Sequence, residues 1–172
     1  MKEIIIALVG DLVYSNSEEA ISLQARKFLG EFKNGRVFYN PSEVLYMNEC
    51  LGARVMKGSK ELTFDLLLKT FSRSDKEVFI KYSAFKNLRE RGYVVKAALK
   101  FGGGFRVYER GKNPKNAHSS WILHPISERS SIKMHEFASK NRVAHSTNKK
   151  LLIAVVDGEG DVTYYEIGWM RM

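Results

Sequence analysis

KKLLIAVVDGEGDVTYYEI, residues 149–167, is the stretch that decides the architecture. Six apolar residues in a row, LLIAVV at 151–156, have the length and continuity of a buried central strand. DGEGD at 157–161 sets two glycines among three acids, the composition of a tight turn. VTYYEI at 162–167 then reads as the returning strand. Lys149 and Lys150 therefore lie at the mouth of the central strand, where a lysine projects from the end of the sheet.

Working upstream, the hydrophobic period is 2. Strands are expected at 93–101, 105–110 and 121–123, with a helix over 131–140 before the apolar run. A helix over 77–91, stopped by Gly92, opens this half. Further upstream, short strands at 4–8 and 12–14 flank a Gly10-Asp11 turn. A helix follows from 18 towards 28, capped by Ser15 or Ser17, with Gly30 past its end and a strand at 36–39. Asn40-Pro41-Ser42-Glu43 offers an N-cap, a proline at the first helical position and an acid at the third. That helix carries Val44, Leu45, Met47 and Leu51 and stops at Gly52, and Thr63 caps another through 71. The polar run 72–76 is the expected domain boundary. The reading is α+β: a small N-terminal α+β domain, 1–75, then a mixed-sheet domain with flanking helices, 76–172.

Charge separates these parts. Of 172 residues, 28 are Lys or Arg and 19 are Asp or Glu. Residues 1–80 are balanced, 81–150 hold 16 basic and 4 acidic side chains, and 151–172 hold one Arg and four acids. All four histidines, His118, His124, His135 and His145, fall in the basic window. An excess so confined points to a polyanion-binding surface. No apolar run approaches the roughly 18 residues of a membrane span, and Asp11 interrupts the IIIALVG segment before it can act as a signal peptide. The single cysteine, Cys50, excludes an internal disulfide, suits a reducing cytoplasm and is expected in the helical core.

The chemistry-bearing residues cluster in the basic half. In KFGGGFRVYERG, 100–111, alternation puts Phe105 and Val107 on one face and Arg106, Tyr108 and Arg110 on the other. Neighbouring cations stabilise a phenolate, so Tyr108 reads either as a base or as an amphipathic surface tyrosine. Gly102-Gly103-Gly104 is a flexible turn, or a set of backbone N–H groups for a phosphate. His118, at the entry to an apolar strand, suits acid–base work, whereas His124 reads as packing. Ser119 and Ser120 lack the glycine-flanked elbow of a serine hydrolase. One of Lys149 and Lys150 can neutralise a phosphoryl transition state. Glu90, Glu109, Glu128 and Glu136 are scattered, and the histidines lack zinc spacing. The expected chemistry needs no metal or cofactor and uses the 2′-OH of RNA as nucleophile.

The segments LRERGYVVK (88–96), KFGGGFRVYERG (100–111), HSSW (118–121), NRVAHSTNKKLLIAVVD (141–157) and DVTYYEI (161–167) together resemble the archaeal tRNA-splicing endonucleases. GRVFYNPSEVLYMNECLG, 35–52, resembles their N-terminal domain less specifically. The resemblance implies a restriction-endonuclease-like catalytic sheet without metal-binding carboxylates, and a triad of Tyr108 as general base, His118 as general acid and Lys149 as transition-state stabiliser. It implies cleavage of precursor tRNA at both junctions of a bulge–helix–bulge, leaving 2′,3′-cyclic phosphate and 5′-hydroxyl ends, a lyase-type transesterification. It further implies that Arg142 and Arg171 clamp a flipped base, while Arg106 and Arg110 add to the RNA-binding surface. The acidic loop of Asp157, Glu159 and Asp161 is implied to enter a basic pocket of a sister subunit. A homotetramer follows, with a heterotetramer containing a structural or RNA-binding subunit as the alternative.

Overall fold

The computed structural model describes residues 3–98, 104–170 and 172. The chain forms two units, Met1–Tyr82 and Ser83–Met172, and the division falls inside a helix, α4.

In the first unit, β1 (Ile5–Val9) and β2 (Leu12–Ser15) form the hairpin expected around Gly10-Asp11. The helices α1 (Glu18–Lys27), α2 (Pro41–Leu51) and α3 (Phe64–Phe71) alternate with β3 (Glu31–Lys33), β4 (Arg36–Phe38), β5 (Arg54–Lys57) and β6 (Lys60–Leu62). The six strands run in the order β3-β4-β2-β1-β5-β6. The short strands β3, β5 and β6 lie in segments too charged to show a period. At the start of α2 the capping box forms as the sequence dictates: Asn40 accepts from the Glu43 backbone N–H and Glu43 from that of Asn40. The buried Glu43 carboxylate also accepts from the Gly30 backbone N–H at 2.9 Å. Gly30 has φ 73°, and a Cβ there would lie 2.5 Å from Val37 Cγ1, so no other residue fits. Cys50 departs from expectation. It is exposed on the last turn of α2, beyond that helix's buried first half (Ser42 to Met47).

The second unit continues α4 (Val78–Glu90) into β7 (Val94–Ala98), β8 (Gly104–Tyr108), β9 (Trp121–Ser127), α5 (Met134–Ser146), β10 (Lys150–Val156) and β11 (Val162–Ile167). The strand order is β11-β10-β9-β8-β7. Only β9 and β10 are parallel, joined through α5, and the other neighbours are antiparallel. The α5 side of the sheet is built on Ile122, Ala144, Leu151 and Ile153. On the α4 side, Phe85 packs on Phe105 with ring centroids 5.8 Å apart. These contacts leave LLIAVV almost wholly buried, the condition its unbroken apolar run requires.

Two boundaries differ from the sequence reading. Helix α5 begins three residues later than 131 and runs to Ser146, which places Ala144 in the core. Strand β9 runs through Pro125 to Ser127. The described pairing with β8 covers Trp121–Leu123, and on the other side β10 pairs with β9 through Pro125 to Ser127. Gly102, Gly103 and the end of the 93–101 strand lie outside the described residues, as does Arg171. Among the described residues no helix is long and apolar enough to cross a membrane.

Candidate active site

Register assembles the candidate site. Val107 pairs with Trp121, and Trp121 with Lys150. The ladder extends one step further through Ser120 N–H to Val107 O (2.9 Å) and Lys150 N–H to Ser120 O (3.0 Å). Tyr108, Ser120 and Lys149 therefore form one transverse row across three strands. Successive side chains alternate, so the row faces the α5 side while Val107, Trp121 and Lys150 face the α4 side. His118 enters from the loop two residues before Ser120 and is exposed.

Each member is held differently. Tyr108 is only 4% exposed, a buried residue rather than the surface tyrosine that alternation suggested. Its hydroxyl has no hydrogen-bond partner among the described residues. Lys149 is half-buried; its backbone N–H donates to Ala144 O and its Nζ to Thr147 O at 2.7 Å, with no carboxylate partner among the described residues. Asn148, in the left-handed region at φ 54°, turns the chain out of α5 into that position. Lys150, by contrast, is exposed, and its Nζ lies 2.5 Å from Glu166 Oε1. Between the two lysines, only Lys149 stands in the Tyr108 row with its charge uncompensated.

The arginines separate. Arg106 shares the Tyr108 face, pairs in register with Lys96, and has a buried Nε without a partner among the described residues. Arg110 does not share that face. β8 ends at Tyr108, the alternation ends with it, and the Arg110 guanidinium lies 5.0 Å from the Tyr93 ring centroid on the α4 side. Arg142 is exposed on α5, one turn before His145.

Trp169 is a member that sequence reasoning missed. Leu151 pairs with Ile167, so two residues on Trp169 comes level with Lys149. Its ring lies 4.5 Å from that of His145 between centroids, tilted by 42°, and it is 52% exposed. The signal available was its place two residues beyond the last alternating apolar residue. The acidic loop lies at the other end of β10 from the row, about 23 Å away for seven strand residues. Asp157 Oδ1 accepts from the Glu159 and Asp161 backbone N–H groups, both at 2.9 Å, while the Glu159 and Asp161 carboxylates stay in solvent.

A phenol, an imidazole and an uncompensated ammonium at one sheet end, in a basic domain, can deprotonate, protonate and stabilise an oxyanion. Among the described residues no three His, Cys, Asp or Glu side chains group as metal ligands. The family described as tRNA intron endonuclease, catalytic C-terminal domain, matches residues 78–164. The tRNA-splicing endonucleases of Thermococcus onnurineus and Pyrococcus abyssi are each 40% identical to the chain, over 173 and 174 residues and 99% of both partners. That of Nanoarchaeum equitans is 38% identical over 135 residues, 75% of this chain and 86% of its own length.

Proposed function

The chain belongs to the tRNA-splicing endonuclease family, and from that premise we propose that it excises tRNA introns by metal-independent transesterification at a bulge–helix–bulge. The observation that carries the proposal is the row of Tyr108, Ser120 and Lys149 with His118 at its entry. The Tyr108 oxygen takes the proton of the 2′-OH beside the cut. The freed 2′-oxygen attacks the adjacent phosphorus while the Lys149 ammonium neutralises the added charge. His118, as imidazolium, protonates the departing 5′-oxygen. One P–O bond forms and one breaks, leaving a 2′,3′-cyclic phosphate and a 5′-hydroxyl. The scarcity of grouped metal ligands among the described residues supports proton transfer and a lysine in place of a divalent ion.

Two junctions need two sites at a fixed spacing, so the proposal includes self-association into a homotetramer, with a partner subunit as the alternative. Its support is the acidic loop, too far from its own chain's row to serve it. Arg142 is proposed as one arm of a base clamp and Arg171 as the other, with Arg106 adding charge near the row. The test is His118→Ala on an intron-containing precursor. Cleavage is expected to fall by about 10²–10⁴-fold with RNA affinity nearly unchanged, in EDTA as in its absence. Unchanged cleavage removes His118 from the chemistry, and loss of wild-type activity in EDTA removes the metal-independent mechanism.

A further inference from the structure

The α4 side of the same sheet end carries a cavity of about 170 Å³ that the triad does not use. Val107 and Leu152 form its apolar floor. Tyr93 and Trp121 meet edge to face at 6.1 Å, and Tyr164 forms the opposite wall, its hydroxyl held by Asn87 Oδ1 at 3.1 Å. Arg110 lies over the Tyr93 ring at 5.0 Å and Arg91 over the Tyr164 ring at 5.9 Å. Neither arginine has a carboxylate partner among the described residues. Glu166 completes the lining; its two oxygens accept from Lys150 Nζ at 2.5 Å and Trp121 Nε1 at 2.7 Å. Those two donors hold its carboxyl below the usual range, so it remains an acceptor with lone pairs to spare.

We propose that this cavity binds one unpaired nucleotide of the substrate RNA, its base against the aromatic and guanidinium planes, its phosphate on Arg91 and Arg110, and its exocyclic amine on Glu166. The inference rests on the chain acting on RNA. Three features select that ligand. Stacked arginines present flat cationic faces suited to bases, with N–H groups left for phosphate. A carboxylate acceptor at the cavity's exposed edge selects cytosine or adenine, which offer an amino group where uracil offers carbonyl oxygens. The cavity and the Tyr108 row also share one sheet end, separated by roughly the 10 Å of a sheet layer. Arg110, Lys112 and Lys115 of the intervening loop are exposed and lead from one to the other. A strand crossing that end brings a nucleotide near the cut to the cavity.

Trp121 is half-buried in the cavity wall, and Trp169 is the other tryptophan of the chain. In full-length protein carrying Trp169→Phe, indole emission reports Trp121 alone. Cytidine 5′-monophosphate is expected to change that emission saturably, and uridine 5′-monophosphate roughly three- to ten-fold more weakly, the worth of one hydrogen bond to a carboxylate. Arg91→Ala and Arg110→Ala are each expected to weaken both cytidine monophosphate and precursor tRNA binding roughly five- to ten-fold. Glu166→Gln is expected to erase the preference for cytidine over uridine. No emission change with either nucleotide overturns the proposal. So does an emission change indifferent to both arginines, or a fall in assembly mass in the arginine variants, which assigns the cavity to a subunit contact. Cleavage of precursor by the wild-type enzyme separates the two readings: active wild type with an unresponsive Trp121 in the variant overturns the cavity alone, and inactive wild type overturns the parent reading.

Discussion

Replacing Lys149 and Lys150 one at a time by methionine turns the strand register into a rate measurement. The two residues are adjacent and chemically identical, and differ only in the face to which β10 delivers them. Lys150 is 58% exposed and spends its charge on Glu166, itself 43% exposed. An exposed pair of this kind contributes roughly 0.2–1 kcal/mol to stability, so Lys150→Met lowers the urea midpoint slightly and changes the cleavage rate by less than about three-fold. Lys149 is half-buried, level with Tyr108, and the only described polar contact of its ammonium is the Thr147 carbonyl. Losing that contact costs about 1 kcal/mol of stability. Losing the ammonium at a crowded phosphorane costs about 2.7–4 kcal/mol of barrier, a factor of about 10²–10³. The assay is single-turnover cleavage of precursor with enzyme in excess, at a urea-verified folded fraction near unity. Binding and folding are then removed from the comparison. Equal losses for the two variants, or a larger one for Lys150→Met, refute the assignment made from register.

Gly104→Ala places a Cβ 2.4 Å from the Leu123 carbonyl oxygen, a backbone clash at the root of the strand that carries Tyr108. A loss of about 1–3 kcal/mol is expected in urea denaturation, together with slower cleavage. Burial pushes the Tyr39 and Tyr164 phenols above their ordinary acidity range. The unfolded chain ionises first, near pH 10, so their contribution is whole below that pH and is lost as pH rises beyond it. Each adds a slope of at most about 1.4 kcal/mol per pH unit. Urea midpoints measured from pH 9 to 11.5 (about half-unit steps) are expected to fall more steeply in wild type than in Tyr164→Phe. Asp157→Lys with Asp161→Lys is expected to lower the mass measured by light scattering, and an unchanged mass means that the loop is not the subunit contact.

Local chemistry was legible wherever neighbouring residues suffice to decide it. The capping box at Asn40 and Glu43, the β1–β2 hairpin and the buried strand 151–156 all formed as their residues dictate. Misreadings fall where a decision belongs to partners distant in sequence. Arg110 was placed beside Tyr108 because alternation carries no mark of where it stops; β8 stops at Tyr108, and the guanidinium finds Tyr93 instead. Pro125 looks like the end of a strand, yet the parallel pairing with β10 carries β9 through it, opposite Ala154, to Ser127. Cys50 sits among apolar neighbours in sequence but outside the buried part of α2.

The candidate site combines both kinds of information. That a tyrosine, a histidine and a lysine are available is local, and their spacing along the chain suffices for the resemblance. That Tyr108 and Lys149 stand in one row is a property of register, fixed by pairs such as Trp121 with Lys150, 29 positions apart. One residue of slip at that pair turns Lys150 towards Tyr108 and Lys149 towards Glu166, exchanging the free charge for the compensated one. The apolar run 151–156 prevents the slip, because each side of the sheet has its own packing: Leu151 and Ile153 lie against Ala144, and Leu152 floors the opposite cavity. Core packing two residues downstream thus selects which lysine faces the row. A substitution within LLIAVV that loosens register is therefore expected to reduce cleavage while Tyr108, His118 and Lys149 all remain in place in the sequence.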